Sequence, residues 1–303
     1  MLCVRVVLAF VFLCALLAGC AKPPQRLDQS ATLSTQQMAY AAQNTPTAAL
    51  DVSAATPQID ARTRTASINN DAGLGFRLRR GLNGRDLTIE KQGDIHLASG
   101  EVVITFDDGP RPGKTDKILD ILDQYDAKAT FLMLGQAAQK HPGLVREVAK
   151  RGHTVGLHTH THGDLTKLNL VAALAEIERG RQPLIAALEP INKAPAPFFR
   201  FPYLAQNQKL RRAVNNAGLV IMDVQIDSKD YYTSSSDDVL QRTLARLDEQ
   251  GKGIVLFHDI HQRTVNMLPD FLAALKDRGY KVVSLVPDRR LQMRSNTQLA
   301  QNN

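Results

Sequence analysis

The chain has 303 residues, a formal charge of +7 at neutral pH and 44% hydrophobic residues, so it is long enough to bury a sizeable core. The modest basic excess fits attraction to an anionic cell-wall polymer or membrane surface, or more simply a solvated surface. No Arg/Lys run interleaved with aromatics is present, which excludes the common nucleic-acid-binding signatures.

The N-terminus reads as a targeting segment. Arg5 supplies a positive start, and Val6 to Leu17 is unbroken apolar sequence. That run is short of the roughly 20 residues that a spanning helix needs. Leu17-Ala18-Gly19-Cys20 resembles the lipobox of bacterial lipoproteins, in which the cysteine is lipidated and becomes the new N-terminus. The resemblance implies a signal peptide over 1–19 and a lipid anchor at Cys20 as the membrane partner. The chain is then exported to the bacterial cell envelope, on the periplasmic side. Ala21, rather than Asp, after the cysteine favours the outer membrane. The plainer alternative is an ordinary signal peptide or an uncleaved anchor. The cysteines are Cys3, Cys14 and Cys20, so removal of 1–19 leaves one. An internal disulfide or a cysteine-based metal site is then excluded, and any metal must use His, Asp or Glu.

Residues 20–80 are rich in Ala, Thr, Gln, Ser, Asn and Asp without lasting periodicity. Such a stretch buries too little apolar surface to offset its ordering entropy and reads as a disordered tether. The main domain is expected over 81–288, followed by a tail over 289–303. Leu87 and Ile89 alternate before Gly93-Asp94, and Ile95 and Leu97 after it, which predicts a short hairpin over 86–98. From residue 101 apolar strand-like runs recur at 102–106, 129–134, 153–157, 197–201, 219–224, 253–257 and 281–285. Helical patterns lie between them at 115–125, 142–151, 166–189, 207–217, 237–250 and 264–278. The 166–189 pattern places Val171, Leu174, Ile177, Leu184 and Leu188 on one face. Ser236 is the expected N-cap of the 237–250 helix and Gly251 its stop. Strand–helix alternation over seven rounds predicts a parallel sheet that, closed on itself, makes a (β/α) barrel of about seven parallel strands. An open doubly wound sheet is the alternative, weakened because no Gly-rich phosphate loop is present.

In such barrels reactive groups sit at the C-terminal strand ends. Here those ends carry Asp107-Asp108, then His158-Thr159-His160-Thr161-His162, Arg200-Phe201-Pro202-Tyr203, Asp227 to Tyr231, and His258-Asp259. Adjacent carboxylates repel each other, which favours a nearby cation. If a helical turn follows the third strand, His158 and His162 converge and His160 points away; a continuing strand would put all three on one face. The turn is the preferred reading. Two histidines plus Asp108 would make an open metal site with room for water. A lone histidine would be better read as a polar loop residue. His258 follows a buried strand, where a satisfied core histidine competes with a catalytic one; the shared rim favours catalysis. Arg200 is either a surface ion-pair member or the group that holds Asp107 in position and keeps it ionised. Asp259 and His261 read as supporting or loop residues without an assigned role.

Five ordered blocks, TFDDGP, HTHTH, RFPY, DSKDYY and LFH, together resemble the polysaccharide deacetylase family (the NodB homology domain), which includes the chitooligosaccharide deacetylases. The resemblance covers roughly residues 101–287. It implies a distorted barrel and metal-assisted removal of acetyl groups from sugars. It further implies Asp107 as base, Asp108, His158 and His162 as metal ligands, and Arg200 as the group orienting the base. The Tyr203 amide would serve the oxyanion, Asp230 would be a charge partner at the rear, Leu256 would shape the methyl pocket, and His258 would be the acid. The metal is a divalent ion; zinc suits His₂Asp best, with cobalt, nickel or manganese as alternatives. Tyr231 stands where many members have Trp, and Leu204 where Gly is frequent, which bears on the substrate groove. The expected function is hydrolysis of N-acetyl groups on an N-acetylglucosamine-containing polysaccharide, either peptidoglycan or a chitooligosaccharide-like glycan. The alternatives are an O-acetyl esterase on a xylan-like glycan and a non-catalytic carbohydrate-binding lipoprotein. No obligate protein partner is evident.

Overall fold

The computed structural model describes residues 81–293. The expected signal peptide, Cys20 and the tether lie outside the described residues. Nine strands form one sheet in which every pairing is parallel: β1 (Asn83–Ile89), β2 (Glu101–Asp107), β3 (Thr130–Met133), β4 (Thr154–Leu157), β5 (Phe198–Phe199), β6 (Val220–Ile221), β7 (Ile226–Asp227), β8 (Gly253–His258) and β9 (Lys281–Pro287). Seven helices connect them: α1 (Thr115–Gln124), α2 (Gly135–Lys140), α3 (Pro142–Lys150), α4 (Leu170–Leu188), α5 (Gln208–Asn216), α6 (Ser236–Gln250) and α7 (Gln262–Asp277). The sheet curls into the expected distorted barrel. Among the described residues, no helix is long and apolar enough to cross a membrane.

Strand alternation explains how the barrel is filled. On β2, Val102, Ile104 and Phe106 join the core between sheet and helices, while Val103 faces the other way into the interior. Phe106 lies 5.0 Å from Phe131 and 5.9 Å from Phe257, ring centre to ring centre. Burying each such ring contributes about 1.5–3 kcal/mol. The interior cluster gathers Val103, Leu132, Phe198, Val220, Ile254, Val283 and Leu285. Gly156 sits among them because any Cβ there would lie 2.6 Å from Leu132 and 2.8 Å from the Phe198 carbonyl. The inward positions of β2, β5 and β8 therefore read apolar low in the barrel. One or two residues further along, the same rows turn polar at the rim.

The sheet has a seam. β6 bonds to β5 and β7 bonds to β8, but β6 and β7 do not pair. A side chain fills part of the gap. The Gln92 amide accepts from the Ile221 N–H at 2.7 Å and donates to the Ile221 carbonyl at 3.2 Å. Next to β7, the Gln225 side chain accepts from the Ile254 N–H of β8 at 2.8 Å and its backbone N–H donates to the Ile254 carbonyl at 3.2 Å.

Four expectations are corrected. The predicted hairpin is a single strand, because β1 pairs parallel with β9 and residues 91–98 form no strand. Ile95 and Leu97 alternate because they pack against the interior cluster from below. The helix expected over 166–189 is divided: a short turn (Leu165–Lys167) capped by Asp164 precedes α4, which starts at its own cap, Asn169. Val171 is consequently 80% exposed instead of buried. The cap of α6 is Ser235, which forms a reciprocal capping box with Asp238, and not Ser236; Gly251 ends the helix with φ +68° as expected. Finally, the fold continues past 288. Residues 289–293 are helical, and Leu291 joins the interior cluster.

Candidate active site

Asp107 is the last residue of β2 and sits in the inward row of Val103 and Thr105. It is 2% exposed. Asp108 leaves the strand with φ +77°, a left-handed conformation that is costly for a residue with a Cβ. This turn sends two consecutive carboxylates to different neighbours. Asp107 Oδ1 accepts a 2.7 Å bond from Arg200 Nη1, while Asp108 Oδ1 lies 3.5 Å from His158 Nε2 and 3.4 Å from His162 Nε2.

Arg200 enters from the end of β5 and is 1% exposed. Its Nε donates to the Met222 carbonyl at 3.0 Å, and its Nη1 also donates to the Thr105 hydroxyl at 2.8 Å. Thr105 in turn donates to the Val255 carbonyl at 2.7 Å. The guanidinium is therefore held by β2 and by the residue after β6, with β8 fixing Thr105 in turn, before it reaches Asp107. Thr105 was invisible as a site residue in the sequence, although its place two residues before Asp107 on the inward row was a usable signal.

His158 and His162 converge, with ring centres 5.0 Å apart. The expected helical turn is absent. Thr159 (φ +68°) and His162 (φ +63°) are left-handed, and the Thr159 hydroxyl accepts from the His162 N–H. The bend comes from these two strained residues. His158 Nδ1 faces the Arg200 carbonyl at 2.9 Å, so this nitrogen carries the proton and Nε2 presents its lone pair to the site. Burial, then the neighbouring His158, hold the His162 pKa below its ordinary value. Ligand atoms of Asp108, His158 and His162 all lie within 4.8 Å of one another. Asp108 Oδ1 is buried with no hydrogen-bond partner. A buried carboxylate oxygen facing two imidazole nitrogens fits a divalent cation and little else. His160 stays apart from this group and approaches Gly135 instead.

His258 ends β8 opposite Asp107, which is its register partner. Its Nδ1 lies 2.7 Å from Asp230 Oδ1, and its backbone N–H donates to Asp230 Oδ2 at 2.7 Å. The Thr264 hydroxyl donates to the same oxygen at 2.6 Å. Burial opposes the imidazolium most strongly, but the bond and charge of Asp230, with Asp107 and Asp108, outweigh it and raise the pKa to about 9. Asp230 is fully buried, and burial is the largest single influence on it; the His258 contacts nonetheless bring its pKa below the ordinary carboxylate value.

The floor and walls complete a cavity of about 290 Å³. Asp107, Asp108, His158, His162, Phe201, Tyr203, Leu204, Asp227, Tyr231, Leu256 and His258 line it. Tyr203 and Leu204 both take left-handed backbone, φ +58° and +54°. The Tyr203 ring sits edge-on to His162 at 4.4 Å. Tyr231 stands edge-on to His258 at 5.4 Å. Its hydroxyl donates to Asp227 Oδ2 at 2.8 Å, and burial followed by that bond raises its pKa.

Asp259 had no role in the sequence reading. It lies buried behind the Asp107–Gly109 turn, its N–H on the Asp107 carbonyl at 3.3 Å and its carboxylate accepting from Thr115 at 2.5 Å. A Cβ on Gly109 would stand 2.0 Å from Asp259 Oδ2, so only glycine admits this approach. Burial, then the charge of Asp108, push the Asp259 carboxyl up to about 7.

Residues 96–222 match the family model for polysaccharide deacetylases. The chain is 33% identical over 198 residues to a chitooligosaccharide deacetylase of Rhizobium leguminosarum bv. trifolii, an alignment covering 61% of this chain and 89% of that one. The chain belongs to the polysaccharide deacetylase family. It is also 33% identical over 184 residues to a peptidoglycan-N-acetylglucosamine deacetylase of Listeria monocytogenes, covering 61% of this chain but only 38% of that relative. This deacetylase-family chain thus spans about two fifths of the length of that longer protein. The solved peptidoglycan deacetylase of Bdellovibrio bacteriovorus superposes with a TM-score of 0.63 at 35% identity, covering 72% of this chain and 63% of that one.

Proposed function

We propose that the chain removes N-acetyl groups from an N-acetylglucosamine-containing polysaccharide and releases acetate. The observation that carries this reading is the division of labour between two adjacent acids. Asp108 turns its orphan oxygen to two imidazoles, while Asp107 is held by Arg200 beside His258. A binding module would need neither a free carboxylate nor a supported imidazolium across the same cavity. Relatives named as peptidoglycan and chitooligosaccharide deacetylases support the same reading.

Asp108, His158 and His162 would hold a divalent cation, zinc best by donor type, with cobalt, nickel or manganese able to compete. Bound there, it would polarise the acetyl carbonyl and acidify a water molecule. Asp107 accepts the water proton as the water oxygen attacks the carbonyl carbon. The Tyr203 amide donates to the developing oxyanion. Leu256 packs against the acetyl methyl. His258 then delivers its proton to the amide nitrogen as the C–N bond breaks, leaving acetate and a free amino sugar. Amines are poor leaving groups, so an acid bonded by its own buried carboxylate suits an amide better than an ester. Arg200 and Asp230 act by holding Asp107 and His258 in place.

Lipidation at Cys20 on the periplasmic side of the envelope, at the outer membrane in preference to the inner one, would bring the site to cell-wall glycan. Cys20→Ser is expected to move the protein from membrane to soluble fractions without changing its activity in vitro.

The main test is acetate release from N-acetylglucosamine oligomers, peptidoglycan and acetylated xylan by chelated and zinc-reloaded protein. Release from the first two that disappears with chelator and returns with zinc is expected. Release from xylan alone would transfer the assignment to ester hydrolysis. No release from any substrate after reloading would leave only carbohydrate binding.

A further inference from the structure

Three of the large apolar side chains exposed on the described residues line this one cavity, Tyr203, Leu204 and Tyr231, and a fourth, Tyr232, packs against Tyr231 just outside it. They form two walls. Tyr203 and Leu204 stand on the His162 side, and Tyr231 and Tyr232 on the His258 side. Exposed aromatic rings at a cavity mouth are stacking surfaces for the apolar faces of sugars.

The His258 wall continues outward. From the imidazole the path runs 5.4 Å to the Tyr231 ring and a further 4.8 Å to the Tyr232 ring. Tyr232 is 55% exposed, and Lys229 Nζ stands 5.7 Å from its ring centre. This cation makes no ion pair with a carboxylate of the described residues. The acids beside it in sequence are already engaged. Asp227 accepts from the Lys229 N–H and the Tyr231 hydroxyl, and Asp230 accepts from His258 and Thr264.

The turn that carries these residues is held in place from below. Arg242 donates to the carbonyls of Ser228 at 2.8 Å and Lys229 at 3.2 Å, and Arg246 donates to the Asp227 carbonyl. Lys229 is left-handed, φ +55°, although it has a Cβ. Strain at a non-glycine residue persists where its surroundings over-determine it. Two arginines of α6 thus hold a half-buried, unpaired ammonium over an exposed ring, two ring-widths out from the candidate acid.

We propose that Lys229 and Tyr232 form a subsite for a sugar that carries a carboxylate, next to the sugar whose acetyl group is removed. Tyr232 stacks on the ring, and Lys229 pairs with the carboxylate. The subsite rests on the deacetylase reading above and narrows it from neutral N-acetylglucosamine chains to a glycan with acidic substituents.

The test compares wild type, Lys229→Gln and Tyr232→Ala, each full-length and zinc-loaded, on three glycans. These are neutral N-acetylglucosamine oligomers, peptidoglycan strands stripped to the sugar-borne lactyl carboxylate, and strands with peptides attached. Lys229→Gln should raise KM about fivefold on a carboxylate-bearing glycan, with kcat unchanged, no effect on the neutral oligomer, and loss of the difference at high salt. Tyr232→Ala should raise KM on all three. An effect of Lys229→Gln on stripped strands assigns the sugar-borne carboxylate; an effect only on intact strands assigns a peptide carboxylate and overturns the subsite as stated. Equal effects on neutral and acidic glycans, or none, also overturn it. Binding of the same glycans, measured by affinity electrophoresis, separates the two readings. If no acetate is released but wild type still prefers the stripped strands and Lys229→Gln does not, the reaction assignment falls and the subsite stands. If neither protein prefers them, the subsite falls.

Discussion

Two buried acid–base pairs face each other across the cavity and look alike: Asp107–Arg200 and Asp230–His258 each join a carboxylate to a nitrogen at 2.7 Å. They differ in which member is free to react. A guanidinium keeps its proton at any physiological pH, so in the first pair the cation is the support and the carboxylate faces the cavity. An imidazolium can give its proton away, so in the second pair the carboxylate is the support and the cation faces the cavity. In the proposed reaction one pair accepts a proton and the other supplies one, and the difference lies in the choice of arginine or histidine.

Removing a reacting member should have the largest effect. Asp107→Asn is expected to lower kcat by roughly 10²- to 10⁴-fold, with zinc affinity unchanged by calorimetry. Asp108→Asn should instead lose the metal. An Asp107→Asn enzyme near wild-type rate would show that the pairs have been assigned the wrong way round. Removing the fixed cation should be felt in folding as well as rate. Arg200→Met leaves Asp107 buried without its partner and should cost about 3–5 kcal/mol in urea unfolding. Asp230→Asn sharpens the second pair. Because His258 is held at about 9, wild-type activity should persist through neutral pH and fall as pH rises through about 9. Without Asp230 the alkaline limb should move down towards or below about 6.5, the ordinary histidine value.

The effect that vanishes at neutral pH concerns His153, which is buried with no carboxylate bonded to it and accepts from the Ala129 N–H at 3.2 Å. Burial, then the charge of Lys128, lower its pKa to about 3. Burial without a bonded carboxylate therefore moves an imidazole in the direction opposite to His258. The unfolded chain binds a proton at His153 below about pH 6.5 and the folded chain does not. This residue should therefore cost about 1.4 kcal/mol per pH unit as pH falls from there towards 3. Unfolding midpoints of wild type and His153→Asn over that range would show it.

Strands β2 to β6, β8 and β9 were legible because buried parallel strands are continuous apolar runs, and the rim because polar residues end those runs; the two-residue β7 was too short to stand out. Other features needed three dimensions. Gly135–Lys140 holds too few apolar residues to announce α2. Ile95 and Leu97 alternate like a strand but serve as loop anchors. The approach of His158 to His162 was anticipated, but its cause was not, since left-handed backbone at Thr159 and His162 leaves no side-chain pattern. Asp259 was unassigned because its partners, Thr115 and Gly109, lie far away in sequence. The Ser235–Asp238 capping box, by contrast, was readable: the spacing to an acid selects Ser235 over Ser236.

Gln92 has a consequence for life at high concentration. Ile221 offers its N–H and carbonyl on the unpaired side of β6, and an open strand edge of this kind is a template for another chain. A single glutamine amide satisfies both groups and so denies that edge to a neighbouring molecule. Its replacement by alanine would leave the reaction rim intact and should show first as self-association.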